Sequence, residues 1–401
     1  MRKYECFAVK ERGFNHIKNG LVCQDSTDCK CDGSLCIVAV ADGHGSAQYF
    51  RSDRGSRFAV SCAIEKLQEF VASLTADDLK TEKEWNNRIG QLIKSVITEW
   101  HECVKKDYLN HPFEVAELEK IPEKYRAAYE KKEKIERAYG TTLIAVADNG
   151  EYSVGIHIGD GKCVAVYDDG SVDEPIPWDD NCHLNQCTSI CDAKAAEEFR
   201  FYIWDKKRPI AIIVCSDGID DSYGSFLHDY VKSVLLELTD GDFAENIECL
   251  KESLSHLSQY GSKDDVSIAG LIDSGSIDEI RPLLETDIKL ARVERDILEA
   301  NNKKNDLVFL CGKAERIYEK CKISNPSETE LNDKKGKYDE VKKELDELTD
   351  TISQYEKRRS ELLAHRQICI SGQHAAMAVC PECGRKIKIL LETRLRGENN
   401  E

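Results

Sequence analysis

Cys36-Ile-Val-Ala-Val-Ala-Asp42-Gly43-His44-Gly45 is an apolar run that ends abruptly in a carboxylate, a histidine and two glycines. A short apolar run closed by turn residues reads as a buried strand. The phrase recurs in Ile212-Ile-Val-Cys-Ser216-Asp217-Gly218. Both put an acid where a buried strand meets solvent. Ile158-Gly-Asp160, Asp264-Asp265 ahead of Val266, and Asp25 in Cys23-Gln24-Asp25-Ser26 add further carboxylates at strand mouths. A single Asp-Gly after a strand is ordinarily a turn, but several acids on one edge repel unless cations lie between them. An all-oxygen ligand set suits the hard ions Mg²⁺ or Mn²⁺. The reading is therefore a binuclear oxygen cage, in which a water shared by two cations is deprotonated near neutral pH and aimed at a phosphoryl group.

Outward from these runs, Leu35–Ala41, Leu143–Ala147, Tyr152–Ile158, Lys162–Tyr167, Ile210–Cys215 and Val266–Ile272 are predicted strands. Helical periodicity falls at about 54–72, 83–107, 113–137, 192–200 and 242–260. The turns Asp148-Asn149-Gly150 and Gly159-Asp160-Gly161 are too short for a parallel crossover, so their flanking strands are expected to pair antiparallel in a meander. Residues 1–273 read as one such unit.

These residues resemble the PPM-type, or protein phosphatase 2C, metal-dependent Ser/Thr phosphatases. The resemblance covers roughly residues 10–272 and rests on an ordered set: Gln24-Asp25, Asp42-Gly43-His44-Gly45, Tyr139-Gly140-Thr141-Thr142, Gly159-Asp160-Gly161-Lys162, Ser216-Asp217-Gly218 and Ser262-Lys263-Asp264-Asp265. It implies an α+β fold, an antiparallel β-sandwich flanked by helices in α-β-β-α layers, with two Mg²⁺ or Mn²⁺ ions in a cleft at one end. By the same resemblance Asp42 bridges the metals, Gly43 offers its carbonyl oxygen, and Asp217 and Asp264 complete the first metal's ligands. Asp25 acts through water, and Asp160 with Asp217 matches a weaker third metal position. The implied reaction is hydrolysis of phosphoserine and phosphothreonine on proteins by metal-bound hydroxide, with His44 protonating the departing oxygen.

Three departures stand out. The family's usual phosphate-holding arginine before Gln24-Asp25 is absent, and Gly13-Phe-Asn-His16 offers His16, or Lys18, without the bidentate fork. The common Gly-Asp-Ser-Arg appears as Gly159-Asp-Gly-Lys162. The charged stretch 104–137 is long enough for a helical insertion near the cleft.

Composition changes at Ile272-Asp-Ser-Gly-Ser276. The capping-box spacing Ser276-x-x-Glu279 predicts a long helix with a seam at Leu290, Val293, Ile297, Ala300, Leu307, Cys311, Ala314, Tyr318 and Cys321, interrupted by Lys304. It stops at Ser324-Asn-Pro326. Ser327-x-x-Glu330 opens a second, with Tyr338, Val341, Leu345, Leu348, Ile352, Tyr355 and Leu362 on its seam and Arg359 interrupting it. Residues 277–366 thus read as an antiparallel coiled-coil hairpin, or as seams pairing two chains into a homodimer. In the tail, 367–401, Cys380-Pro-Glu-Cys383-Gly384 has zinc-knuckle form, and Cys369 with His374, or His365 with Cys369, could complete a Zn²⁺ site. Cys182-His183, Cys187 and Cys191 are dense enough for a metal but read better as a thiol-rich loop.

The net charge of −18 argues against nucleic acid as a partner. No apolar run is long enough for a membrane span and no signal segment is visible, so a cytoplasmic protein with reduced thiols is expected among its 18 cysteines. Cys29 and Cys31, facing Cys36 across the Asp32-Gly33 turn, read as strand neighbours. The expected partners are a phosphoprotein substrate and a partner Ser/Thr kinase. The rival reading is a pseudophosphatase, a scaffold or sensor acting through the helices and Cys-rich tail. The intact Asp42, Asp217 and Asp264 disfavour it.

Overall fold

The computed structural model describes residues 4–33, 35–74, 81–183, 186–373, 376–379 and 386–389. The chain divides into two compact units, Met1–Glu279 and Ile280–Glu401.

The first unit is a sandwich of two five-stranded sheets. Its strands are β1 (Glu5–Glu11), β2 (Ser26–Cys31), β3 (Cys36–Ala41), β4 (Leu143–Asp148), β5 (Ser153–Ile158), β6 (Lys162–Val166), β7 (Val172–Asp173), β8 (Arg200–Trp204), β9 (Ala211–Cys215) and β10 (Val266–Ile272). One sheet runs β1-β10-β9-β6-β7 and the other β2-β3-β4-β5-β8, with every neighbouring pair antiparallel.

The continuous apolar run of β3 has a direct cause, because both its faces are covered. Ile37, Ala39 and Ala41 pack in one core with Ala59, Leu67, Ile89 and Trp100, from helices Ser52–Ser73 and Glu82–Asn110. Val38 and Val40 point the other way, into the core shared with Val214, Ala269 and Leu271 of the second sheet. Helices Asp217–Tyr223 and Phe243–Tyr260 lie on strands of that second sheet.

One expectation is corrected. β4 and β5 form the predicted hairpin, but β5 and β6 do not pair, because Gly159-Asp160-Gly161 carries the chain from one sheet to the other. Gly159 has φ +108°, where a side chain is strained, and a Cβ on Gly161 would stand 2.6 Å from the Cys215 carbonyl oxygen. The two glycines make the crossing and leave Asp160 at its apex. The predicted helix at 192–200 shrinks to Ala195–Glu198, and Arg200 begins β8. The 113–137 helix breaks into Val115–Glu119, Glu123–Glu130 and the 3₁₀ turn Ile135–Tyr139. Cys31 and Cys36, register partners across β2 and β3, are joined by a disulfide, where reduced strand neighbours were expected.

The second unit contains most of a helix spanning Ser274–Ile323 and all of a helix spanning Glu328–Gln373. The first helix begins before the predicted Ser276 cap, because Asp273 accepts the Ser276 N–H and hydroxyl. Ser327 caps the second, its Oγ accepting the Glu330 N–H. The helices run antiparallel, with Tyr318 stacked on Tyr338 at 6.1 Å, Lys303 bound to Glu344 at 3.0 Å and Glu294 to Arg359 at 2.8 Å. Leu307, Cys321, Ile352 and Leu362, all predicted seam positions, are buried. Beyond them Ala376–Val379 pairs antiparallel with Lys386–Ile389. The proposed zinc ligands His374, Cys380 and Cys383 lie outside the described residues. Cys369 is described, with its sulfur 3.7 Å from His365 Nδ1.

Candidate functional site

The register of the sandwich gathers the strand-end acids. Ser26 pairs with Ala41, Leu143 with Ile158, and Cys215 with both Lys162 and Ile268. The start of β2, the ends of β3, β5 and β9, and the approach to β10 therefore meet at one end of the two sheets. A cleft of about 670 Å³ opens there, lined by Asp42, Gly43, His44, Asp160, Asp217 and Asp264 among others.

The Gly140-Thr141-Thr142 segment straps the Asp42 turn in place. Asp42 N–H donates to Thr142 Oγ1 at 2.9 Å, Thr142 N–H returns to the Asp42 carbonyl at 2.8 Å, and the Thr141 hydroxyl reaches that carbonyl at 2.7 Å. The chain presses so closely that a Cβ on Gly43 would lie 2.6 Å from the Gln24 carbonyl oxygen. Ser216 and Ser267 bind each other across β9 and β10, Ser216 N–H to Ser267 O at 3.0 Å and Ser267 N–H to Ser216 Oγ at 3.1 Å. That pair fixes the turn from which Asp217 projects.

The acids divide by their surroundings. Asp25 is buried and accepts the Ser267 hydroxyl at 2.6 Å on Oδ2, while its Oδ1 and the Oδ1 of Asp217 are buried with no hydrogen-bond partner. Burial, then the charge of Asp265, pushes the Asp25 carboxyl up to about 7. Burial, with the charges of Asp160 and Asp264, pushes Asp217 up to about 6. Asp42 rises well above the usual carboxylate range through burial and the charges of Asp25 and Asp217. Asp265 is the contrast. It accepts the backbone N–H groups of Gly13 and Gln24, each at 2.6 Å, and pairs with His16 Nδ1 at 2.9 Å. Burial works against its charge, but these bonds prevail and hold it below the usual range. Asp265 therefore braces the short helix Phe14–Asn19 that carries His16 and has little capacity left for a cation.

Among the described residues no three His, Cys, Asp or Glu side chains already converge as a closed metal-binding group. The residues nonetheless fit hard divalent cations, because the cleft supplies oxygen donors, one of them the orphaned Asp217 Oδ1, whose ionised forms repel one another and the buried Asp25 without a positive charge between them.

His44 lines the cleft with its ring 4.7 Å from that of Tyr49, and burial pushes its pKa down to about 4. His16 also lines the cleft, whereas Lys18 is exposed on helix Phe14–Asn19 and is not brought to it. Residues missed by sequence reasoning also line it: Asp221, Cys187, Tyr49 and Arg137. Arg137 is the one arginine or lysine among the described lining residues. Its side-chain neighbours are the Tyr49 hydroxyl and the Tyr125 ring. It belongs to the segment after residue 104, so only the turn Ile135–Tyr139 reveals its direction.

That segment is anchored away from the cleft acids. The buried Arg51 makes two bonds to Glu117, at 2.9 and 2.8 Å, and others to the Tyr139 hydroxyl at 2.9 Å and the His111 carbonyl at 2.6 Å.

Comparison with known proteins follows the same lines. A search of curated proteins found no match. Solved structures similar to this chain include Stp1 from Staphylococcus aureus, 12% identical with a TM-score of 0.43, covering 67% of this chain and 94% of that one. The catalytic domain of the serine/threonine phosphatase PstP, in complex with two manganese ions, is 15% identical with a TM-score of 0.40, covering 68% and 99%. PppA from Pseudomonas aeruginosa is 14% identical with a TM-score of 0.41, covering 67% and 97%. The assignment itself rests on residues 12–257, more than half of the chain, which match the family described as protein phosphatase 2C. The chain belongs to the protein phosphatase 2C family.

Proposed function

We propose that this protein hydrolyses phosphoserine and phosphothreonine on proteins, using two Mg²⁺ or Mn²⁺ ions held in the cleft. The observation that carries the reading is the meeting of Asp42, Asp160, Asp217 and Asp264 in one cleft, with buried Asp217 Oδ1 left unpartnered. Asp42 would lie between the two cations, the Gly43 carbonyl and Asp217 and Asp264 would complete their protein ligands, and Asp25 would act from behind. Asp160 would serve a third, weaker cation. Bound there, such ions lower the pKa of a water and offset the charge of a phosphoryl group.

The chain's own side chains supply the rest. Arg137 and His16 face the cleft and would hold the phosphoryl oxygens, His16 being kept in place by Asp265. His44 is neutral at pH 7 in the free protein, since its pKa is near 4. An arriving phosphate dianion beside the ring favours its protonated form, from which it can pass a proton to the seryl or threonyl oxygen. The two long helices, read as a coiled-coil hairpin, would recruit or regulate. The pseudophosphatase alternative is not favoured, because it gives the unpartnered carboxylates no use.

The test is hydrolysis of a phosphothreonine peptide and an aryl phosphate by wild type and Asp42→Ala, with and without Mn²⁺. The proposal expects wild-type turnover that needs the metal and none from the variant. Equal metal-dependent rates would overturn it.

A further inference from the structure

The loop bordering the cleft carries a thiol pair for which hydrolysis has no use. His183 and Gln186 exchange both backbone hydrogen bonds, each 2.9 Å long, as an isolated antiparallel bridge. Residues just outside such a doubly bonded pair stand opposite each other at the closer spacing, with Cα atoms about 4.5 Å apart and side chains on the same face. Here those residues are Cys182 and Cys187. That separation falls within the range of about 4.4–6.8 Å that a disulfide spans without backbone movement.

The two sulfurs have different surroundings. Cys187 lines the cleft, and its Sγ lies 3.2 Å from Asp160 Oδ1, to which the thiol donates. Cys182 is buried behind it, with its Sγ 3.8 Å from Thr188 Oγ1. The geometry points to Cys182 and Cys187 as a modification site for peroxide, closing to a disulfide that removes the thiol donor from Asp160.

The chemistry balances. The Cys182 sulfur attacks one oxygen of hydrogen peroxide, the O–O bond breaks, and a sulfenic acid and one water result. The Cys187 sulfur then attacks the sulfenic sulfur, the S–O bond breaks, and a second water leaves. Two thiols lose two electrons and two protons, and the peroxide is reduced to two waters. Either sulfur can take the first step with the same balance, and both routes end in the same disulfide.

The consequence for Asp160 rests on the metal reading above, whereas the disulfide does not. A carboxylate relieved of a competing proton donor holds a cation more tightly. One ordinary hydrogen bond corresponds to about fivefold in affinity.

The experiment treats the full-length protein with hydrogen peroxide, alkylates the remaining thiols and maps the tryptic fragment 163–194, with Mn²⁺ binding followed in parallel. The expected fragment has lost two hydrogens and, alkylated after unfolding, carries label on Cys163 and Cys191 but not on Cys182 or Cys187. The weakest Mn²⁺ site should tighten about fivefold, the size of one hydrogen bond. That gain should be absent in Cys182→Ser, Cys187→Ser and Asp160→Asn and retained in Cys191→Ser. A bond to Cys191, or sulfinic acid at Cys187 with Cys182 still free, overturns the pairing. A disulfide with unchanged Mn²⁺ affinity overturns the link to Asp160. Absence of Mn²⁺ binding in both states overturns the metal reading itself, and the fragment mass still reports on the disulfide.

Discussion

Asp107 and Glu117 around Arg51, and Asp42 and Asp217 in the cleft with the buried Asp25 beside them, are all carboxylates drawn away from water in the same unit, and their protons answer in opposite directions. Burial alone raises both Asp107 and Glu117. The bonds from Tyr139 and Arg54 to Asp107, and from Arg51 to Glu117, more than offset it and hold both below the usual range. At the cleft no guanidinium opposes burial, the hydroxyl bonds to Asp25 and the Asp42 bond to Asp217 are too weak to offset it, and all three acids are pushed upward. An acid that meets a guanidinium is a brace. Buried acids that meet mainly each other are costly to the fold, and a ligand of opposite charge gives them a use.

The largest effect that separates the two groups is on turnover. On the proposed metal reading, Asp217→Asn should lower Mn²⁺-dependent hydrolysis by about a thousandfold or more, because it would remove a charge that holds a cation, while the circular dichroism spectrum stays that of the wild type. Arg51→Ala should do the reverse. It removes the buried guanidinium that bonds the part-buried Glu117, the Tyr139 hydroxyl and the His111 carbonyl and should cost about 1–3 kcal/mol of unfolding free energy, while turnover per folded molecule stays near wild type. His44→Gln comes next. Loss of a proton donor should slow a phosphothreonine peptide by about a hundredfold and an aryl phosphate, with its better leaving group, far less. Equal losses on the two substrates would remove His44 from that role.

A smaller effect lies in pH. Asp107 and Glu117 have folded-state pKa values below their unfolded ones. Their contribution is therefore present above about pH 4 and is lost as pH falls through the folded values. Glu117→Gln should flatten the acid limb of stability measured by urea unfolding between about pH 5 and 2. An unaltered limb would show that the brace is not ionic. The smallest effect concerns the second unit. Removing residues 280–401 should leave aryl-phosphate hydrolysis nearly unchanged and weaken action on the native phosphoprotein. Loss of aryl-phosphate turnover in a still-folded remainder would mean that these helices serve the active site.

The same comparison explains what the sequence made legible. The cleft acids could be read because each follows or precedes a strand, and strand-plus-acid is a local signal. Seams at heptad spacing are local too, which is why Leu307 and Ile352 were placed correctly on buried positions. The Arg51 brace could not be read. Its partners, His111, Glu117 and Tyr139, are distant in sequence and become neighbours only once the segment after residue 104 folds back. Arg137 was hidden for the same reason. β1 was missed because its burial alternates weakly along Glu5–Glu11 and its partner is the far end of the unit, Glu5 pairing with Ile272. The β5–β6 turn was misread because length alone forbids a parallel crossover but does not forbid a change of sheet. The strain at Gly159 decides between the two. The brace formed by Asp265 was likewise invisible beside Asp264, since the Gly13 and Gln24 N–H groups and the His16 ring that surround it are distant in sequence.

The central claim is that the cleft acids are kept for divalent cations. Its most direct test is calorimetric titration of Mn²⁺ into chelator-treated full-length protein, wild type beside Asp42→Ala. The account predicts at least two ions bound per wild-type chain, with proton release as the raised carboxyls ionise, and loss of that binding in the variant. Identical titrations for the two proteins, or no binding by the wild type, would contradict it.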